Sequence, residues 1–115
     1  TVYIKADSRY LYRVLENTYS NVAKYAEENT RVYIDCILEE KNTVAIYVKN
    51  ISKDELNISA DELMQRFVRG DKSRNTEGSG LGLSIAKSLT ELQDGTFNIY
   101  LDGDLFKVAI KFKRV

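Results

Sequence analysis

Apolar residues along this chain change period several times, and each change marks an element. Leu11, Val14, Leu15, Thr18, Val22 and Ala26 recur at helical spacing, which predicts a helix with one buried face. Asp7 or Ser8 caps its start, since a short polar side chain accepts from the first unpaired backbone N–H groups, and the helix should run to about residue 28. Before it, Thr1-Val2-Tyr3-Ile4-Lys5 alternates like a strand. Residues 31–38 and 43–49 are rich in β-branched and aromatic types, and the polar Glu39-Glu40-Lys41-Asn42 between them makes a hairpin turn. Ser59-Ala60-Asp61-Glu62 has the form of a capping box and opens a short helix through about Phe67. Residues 68–80 have no periodicity and read as a mobile loop. A third helix follows from Leu81 to about Leu92, with Leu81, Ile85, Ala86 and Leu89 inward and Gly95 ending it. Strands at 96–101 and 104–114 then meet at Asp102-Gly103.

The order β-α-β-β-α-loop-α-β-β predicts an α/β two-layer sandwich: one mixed, mostly antiparallel sheet with about three helices on one face. Phe97, Ile99, Phe106, Val108 and Ile110 read as its core. Cys36, alternating with Val32, Ile34 and Leu38, is expected there too. The length of 115 residues suits one domain. The first residues already lie in a strand pattern and there is no initiator Met, so the domain reads as a piece of a longer chain.

Composition removes several kinds of chemistry. Seventeen Lys plus Arg balance seventeen Asp plus Glu, which argues against a general nucleic-acid binder. One Cys excludes an intrachain disulfide and a Cys-clustered zinc site. There is no His at all, so this chain runs no Ser-His-Asp or Cys-His catalysis and offers no His to a metal.

Three places carry candidate chemistry. Asn17, Asn21 and Lys24 project within about 60° of one another on the first helix, in a stripe expected to turn away from the Leu11/Val14/Leu15/Val22 face. Two amides and an ammonium suit a phosphate with Mg²⁺; the same stripe also reads as an ordinary solvated face. Gly78-Ser79-Gly80-Leu81-Gly82-Leu83 opens the third helix, where glycines and unpaired N–H groups admit phosphate; a plain hinge is the other reading. The string is neither the Rossmann fingerprint nor a P-loop. Arg66, Arg69, Lys72 and Arg74 surround one acid, Asp71, and suit a triphosphate, or simply keep a loop soluble.

Taken in order, these segments resemble the sequence boxes of the sensor histidine kinases of two-component systems. Leu15-Glu16-Asn17-Thr18-Tyr19-Ser20-Asn21-Val22-Ala23-Lys24-Tyr25 resembles their N box, Phe67-Val68-Arg69-Gly70-Asp71-Lys72-Ser73-Arg74 their F box and ATP-lid entry, and Gly78 to Leu83, continuing Ser84-Ile85-Ala86-Lys87, their G2 box. The resemblance implies the catalytic and ATP-binding domain, with the Bergerat fold and with ATP and Mg²⁺ as cofactors. It assigns Asn21 to the Mg²⁺ and Asn17 to the second N-box amide. Lys24 falls to phosphate, Tyr25 to the side of the nucleotide, and Arg69, Lys72 and Arg74 to the lid. Gly78, Gly80 and Gly82, with Leu81 and Leu83 between and after them, fall to the phosphate-binding turn.

One box departs. Where the family usually carries Asp-x-Gly-x-Gly, whose Asp contacts the adenine amino group, this chain reads Val48-Lys49-Asn50-Ile51-Ser52-Lys53-Asp54. Asn50 can accept from N6 and donate to N1, without a charge-assisted bond; Asp54 substitutes only if the loop is rearranged. Weaker ATP binding is the expectation. Related hydrolases place a Glu where Asn17 stands, and an amide is no general base, while Glu16 is rotated about 100° away. The expected reaction is therefore phosphoryl transfer to a His on a helical dimerisation domain preceding Thr1, for relay to a response regulator. The resemblance also implies a homodimeric, membrane-anchored full-length protein with this domain, itself monomeric, in the cytoplasm. Two alternatives are a degenerate module working through protein contacts and a Ser/Thr kinase of the anti-sigma type.

Overall fold

The computed structural model describes residues 3–53 and 81–115. Helix α1 (Ser8–Tyr25) is followed by strands β1 (Tyr33–Glu39) and β2 (Thr43–Ile51), helix α2 (Leu81–Leu92), and strands β3 (Thr96–Asp102) and β4 (Leu105–Lys113). The four strands form one sheet in the order β1-β2-β4-β3, and every pairing is antiparallel. The expected sandwich is thus present with two helices and a purely antiparallel sheet among the described residues. The expected helix near residues 59–67 and the loop 68–80 lie outside them, together with Asp54, Arg66, Arg69, Lys72, Arg74, Gly78 and Gly80. The initial strand is not formed in the described part: Ile4 makes a single bridge to Arg114.

Asp7, not Ser8, caps α1. Its carboxylate accepts from the backbone N–H groups of Arg9 at 2.9 Å and Tyr10 at 3.3 Å, and the first of these bonds leads in holding its pKa below the ordinary value. The helix ends at Tyr25, three residues before the predicted stop, because Ala26 turns to extended backbone and bridges Ser52.

Alternate strand residues face the helices. Val48 of β2, Phe97 and Ile99 of β3, and Phe106, Val108, Ile110 and Phe112 of β4 meet Val14 and Val22 of α1 and Leu83 and Ala86 of α2 in a buried core. Thr18 and Thr90 are also fully buried, and each hydroxyl donates to the carbonyl one turn back, Val14 at 2.8 Å and Ala86 at 2.7 Å. Their polarity is answered inside their own helices.

Cys36 corrects an expectation. It is exposed, as are Val32, Ile34 and Leu38: β1, one of two edge strands, contributes nothing to the described core, whereas the other edge, β3, contributes Phe97 and Ile99. Period-two alternation shows which residues share a face; it does not show that the face is covered.

The third helix is found where it was predicted, but Gly95 is not its terminating left-handed residue. Asp94 takes that conformation at φ 64°. Gly95 is small because a Cβ there would sit 2.8 Å from Phe112 and 2.9 Å from the Lys111 carbonyl oxygen. On the far side of the sheet Lys111 pairs with Glu39 at 3.1 Å, and Tyr47 donates to the same carboxylate, a bond that leads in lowering the Glu39 pKa.

Candidate nucleotide site

Asn17, Asn21 and Lys24 are all half-buried, so their stripe is not turned away from the core as expected. On a helix of 3.6 residues per turn Asn21 lies only about 20° from Val14, and α2 packs beside it. The Asn17 Nδ2 is fully buried and has no hydrogen-bond partner. A Cβ built on Gly82 would stand 3.5 Å from Asn17 Cβ and 3.7 Å from its Oδ1. The amide ridge of α1 and the first turn of α2 therefore adjoin. Backbone N–H groups in that turn lack partners within the helix and carry the positive end of its dipole.

Lys24 lies 5.3 Å from the centre of the Tyr25 ring, which places a cation and an aromatic side by side on the last turn of α1. Leu81 begins α2. Leu83, expected at the nucleotide, has its side chain in the core at 1% exposure, so what it can offer a phosphate is its backbone.

Asn50 stands on β2 beside these groups. The end of β2 is bound to the end of α1: Glu27 N–H donates to the Ile51 carbonyl at 2.7 Å, and Lys53 N–H to that of Tyr25 at 2.9 Å. Asn50 is 3% exposed and its Oδ1 has no partner. Buried polar atoms are nearly always paired, and here the described residues leave two side-chain atoms unpaired, Asn17 Nδ2 on α1 and Asn50 Oδ1 on β2. The sequence named both residues. It gave no sign that their amides would be desolvated.

The family model for the histidine kinase-, DNA gyrase B-, and HSP90-like ATPases matches residues 6–114. The chain belongs to that family. Its place there is the catalytic and ATP-binding domain of the sensor histidine kinases, the type of protein its relatives represent. It is 34% identical over 110 residues to the sensor histidine kinase HprS of Escherichia coli, covering 93% of this chain and 24% of that protein. It is 35% identical over 95 residues to the sensor histidine kinase YvrG of Bacillus subtilis, covering 81% and 16%. Among solved structures, the mycobacterial sensor histidine kinase MprB superposes with a TM-score of 0.75 at 21% identity, covering 98% of this chain and 76% of that one. Full-length ShkA in complex with AMPPNP superposes at 0.77 and 21%, covering 100% and 24%. The likeness to these two structures carries the fold. The chain spans about a quarter of the length of HprS, and no described helix is long and apolar enough to cross a membrane.

Proposed function

We propose that this domain binds Mg²⁺-ATP between the α1 ridge and the first turn of α2, and donates the γ-phosphoryl group to a histidine on a separate helical dimerisation domain. A response regulator then receives it. The observation that carries this reading is the pair of desolvated, unpartnered amide atoms on Asn17 and Asn50, which fit a polar ligand entering from the crevice mouth. ShkA was solved with AMPPNP, and a triphosphate of the same shape suits this site.

The residues divide the work by their chemistry. The Asn21 carbonyl oxygen is a hard ligand suited to Mg²⁺, and the Lys24 ammonium is a point charge for phosphate. Asn17 Nδ2 is a donor, and the backbone N–H groups of Gly82 and Leu83 receive phosphate oxygens at the helix mouth. Asn50 and Tyr25 bound the base. Bound Mg²⁺ supplies neutralisation of the negative charge that builds up during transfer. Arg69, Lys72, Arg74, Gly78, Gly80 and Leu81 complete the phosphate end in this reading. Asn17 cannot take a proton from water, which favours a docked acceptor over hydrolysis. With no His in the chain, that acceptor lies outside it, on a full-length homodimer anchored at a membrane with this domain on the cytoplasmic side. The relatives named above are sensor histidine kinases, which favours a histidine acceptor over a serine.

Calorimetric titration of the chain with ATP, with and without Mg²⁺, tests the site. Mg²⁺ should tighten binding, and Asn21→Ala should erase that gain, on the order of a hundredfold for a lost metal ligand. Heats that ignore both Mg²⁺ and the substitution would overturn the metal assignment. Absent heats would leave the degenerate module acting through protein contacts. Incubation with γ-labelled ATP should leave the isolated chain unlabelled, and a labelled chain would contradict an external acceptor.

A further inference from the structure

Asn50 sits where a buried apolar residue would be the simpler choice. It occupies the helix-facing register of β2 shared by Val44, Ile46 and Val48, directly opposite Phe106, and is 3% exposed. The ties from Ile51 to Glu27 and from Lys53 to Tyr25 hold it at the level of the last turn of α1. Its Oδ1 is shut away from solvent with no hydrogen-bond partner. Leaving such an oxygen unpaired opposes folding, and a side chain kept in that state points to a ligand that pairs with it.

We propose that Asn50 reads the six-position and N1 of a purine, and that the site takes 6-oxopurine nucleoside triphosphates alongside ATP. This rests on the reading above that a purine triphosphate fills the crevice. The reason is the symmetry of an amide, which offers one acceptor and one donor side by side. In one orientation Oδ1 accepts from the adenine N6 amino group while Nδ2 donates to N1. Rotated by half a turn about its last bond, the same side chain donates from Nδ2 to a 6-oxo group, and Oδ1 accepts from the protonated N1 of hypoxanthine or guanine. Each edge is matched twice. A carboxylate in the same place has only acceptors, so it pairs once with either base, at N6 of adenine or at the protonated N1 of a 6-oxopurine, and turns its other oxygen to a lone pair. Discrimination by the six-position is strong only when the wrong base leaves a buried polar group unpaired, and here neither base does.

The test is a titration of the unmodified chain with the Mg²⁺ salts of ATP, ITP and CTP. ITP carries the 6-oxo group without the 2-amino group of guanine, and CTP has the triphosphate without a purine. ATP and ITP should bind within about tenfold of each other, and CTP about a hundredfold more weakly. Asn50→Val, which offers neither donor nor acceptor, should weaken ATP and ITP alike by about tenfold or more, with its thermal unfolding followed to confirm a folded chain; binding of both left unchanged would overturn the proposal. Tight ATP binding with ITP more than about a hundredfold weaker would overturn the proposal and leave the ATP site standing. CTP binding as well as ATP would show that the base is not read, which also overturns it. If no nucleotide binds, this inference and the function it rests on fall together.

Discussion

The C-terminal end of α2 and the α1 face beside its N-terminal end treat their polar groups in opposite ways. At the C-terminal end Gly95 N–H donates to the Thr90 carbonyl at 3.0 Å and Asp94 N–H to that of Glu91 at 3.0 Å. Gln93 donates to the Leu89 carbonyl at 2.9 Å, and its other amide atom receives the Asp7 N–H at 2.7 Å. Gly95 itself is wedged against Phe112 and Lys111. At the N-terminal end a Cβ on Gly82 would meet Asn17 at ordinary contact distance, and the Asn17 Nδ2 is buried and unpaired. A terminus that only maintains the fold closes its hydrogen bonds internally. A face that buries an amide atom without a partner accepts a cost in stability.

Substitutions at the two ends should therefore separate stability from binding. The largest effect is expected for Gly95→Ala. The new methyl group meets backbone as well as a ring, so unfolding in denaturant should show a loss of about 3 kcal/mol, while the folded fraction keeps its nucleotide affinity. Asn17→Ala should do the reverse. Calorimetry should give ATP binding about tenfold weaker, the worth of one hydrogen bond, with a melting temperature no lower than the parent's because an unpaired donor has gone. A clear fall in melting temperature would mean that Asn17 serves the fold and would erase the contrast.

Two smaller effects sharpen it. Thr90→Val keeps the shape but removes a hydroxyl already satisfied within its helix, so it should cost about 1 kcal/mol by denaturant titration and leave ATP binding unchanged. Gly82→Ala has room for its methyl group at 3.5 Å from Asn17 Cβ. It should not lower the melting temperature, and the methyl group should weaken ATP binding a few-fold by crowding the phosphate's approach, about half the logarithmic effect of Asn17→Ala. Equal effects of Gly82→Ala and Gly95→Ala on stability would show that the two ends are not different in kind.

Much of this was legible in the chain, and the misses share a cause. The helix from Leu81 to Leu92 and the core residues Phe97, Ile99, Phe106, Val108 and Ile110 follow from local periodicity, and the structure agrees with them. Cys36 failed because alternation is a property of one strand, whereas burial depends on what lies over the sheet. The stop of α1 was missed because β2 ends it, through the bridge from Ser52 to Ala26, and no signal for that lies within the helix. Gly95 was read as a cap when its constraint is contact with a strand some sixteen residues later.

By itself the sequence determined the order of the described helices and strands from Ser8 onward, which residues share a face, and which amides, lysine and glycines are candidates for a nucleotide. These depend on side-chain pattern and short-range backbone chemistry, which neighbouring residues carry. Tertiary structure alone decided that Asn17 and Asn50, thirty-three positions apart, each bury an amide atom and leave it unpaired. Desolvation is set by everything packed around a group, so it cannot be read from the group's neighbours in the chain.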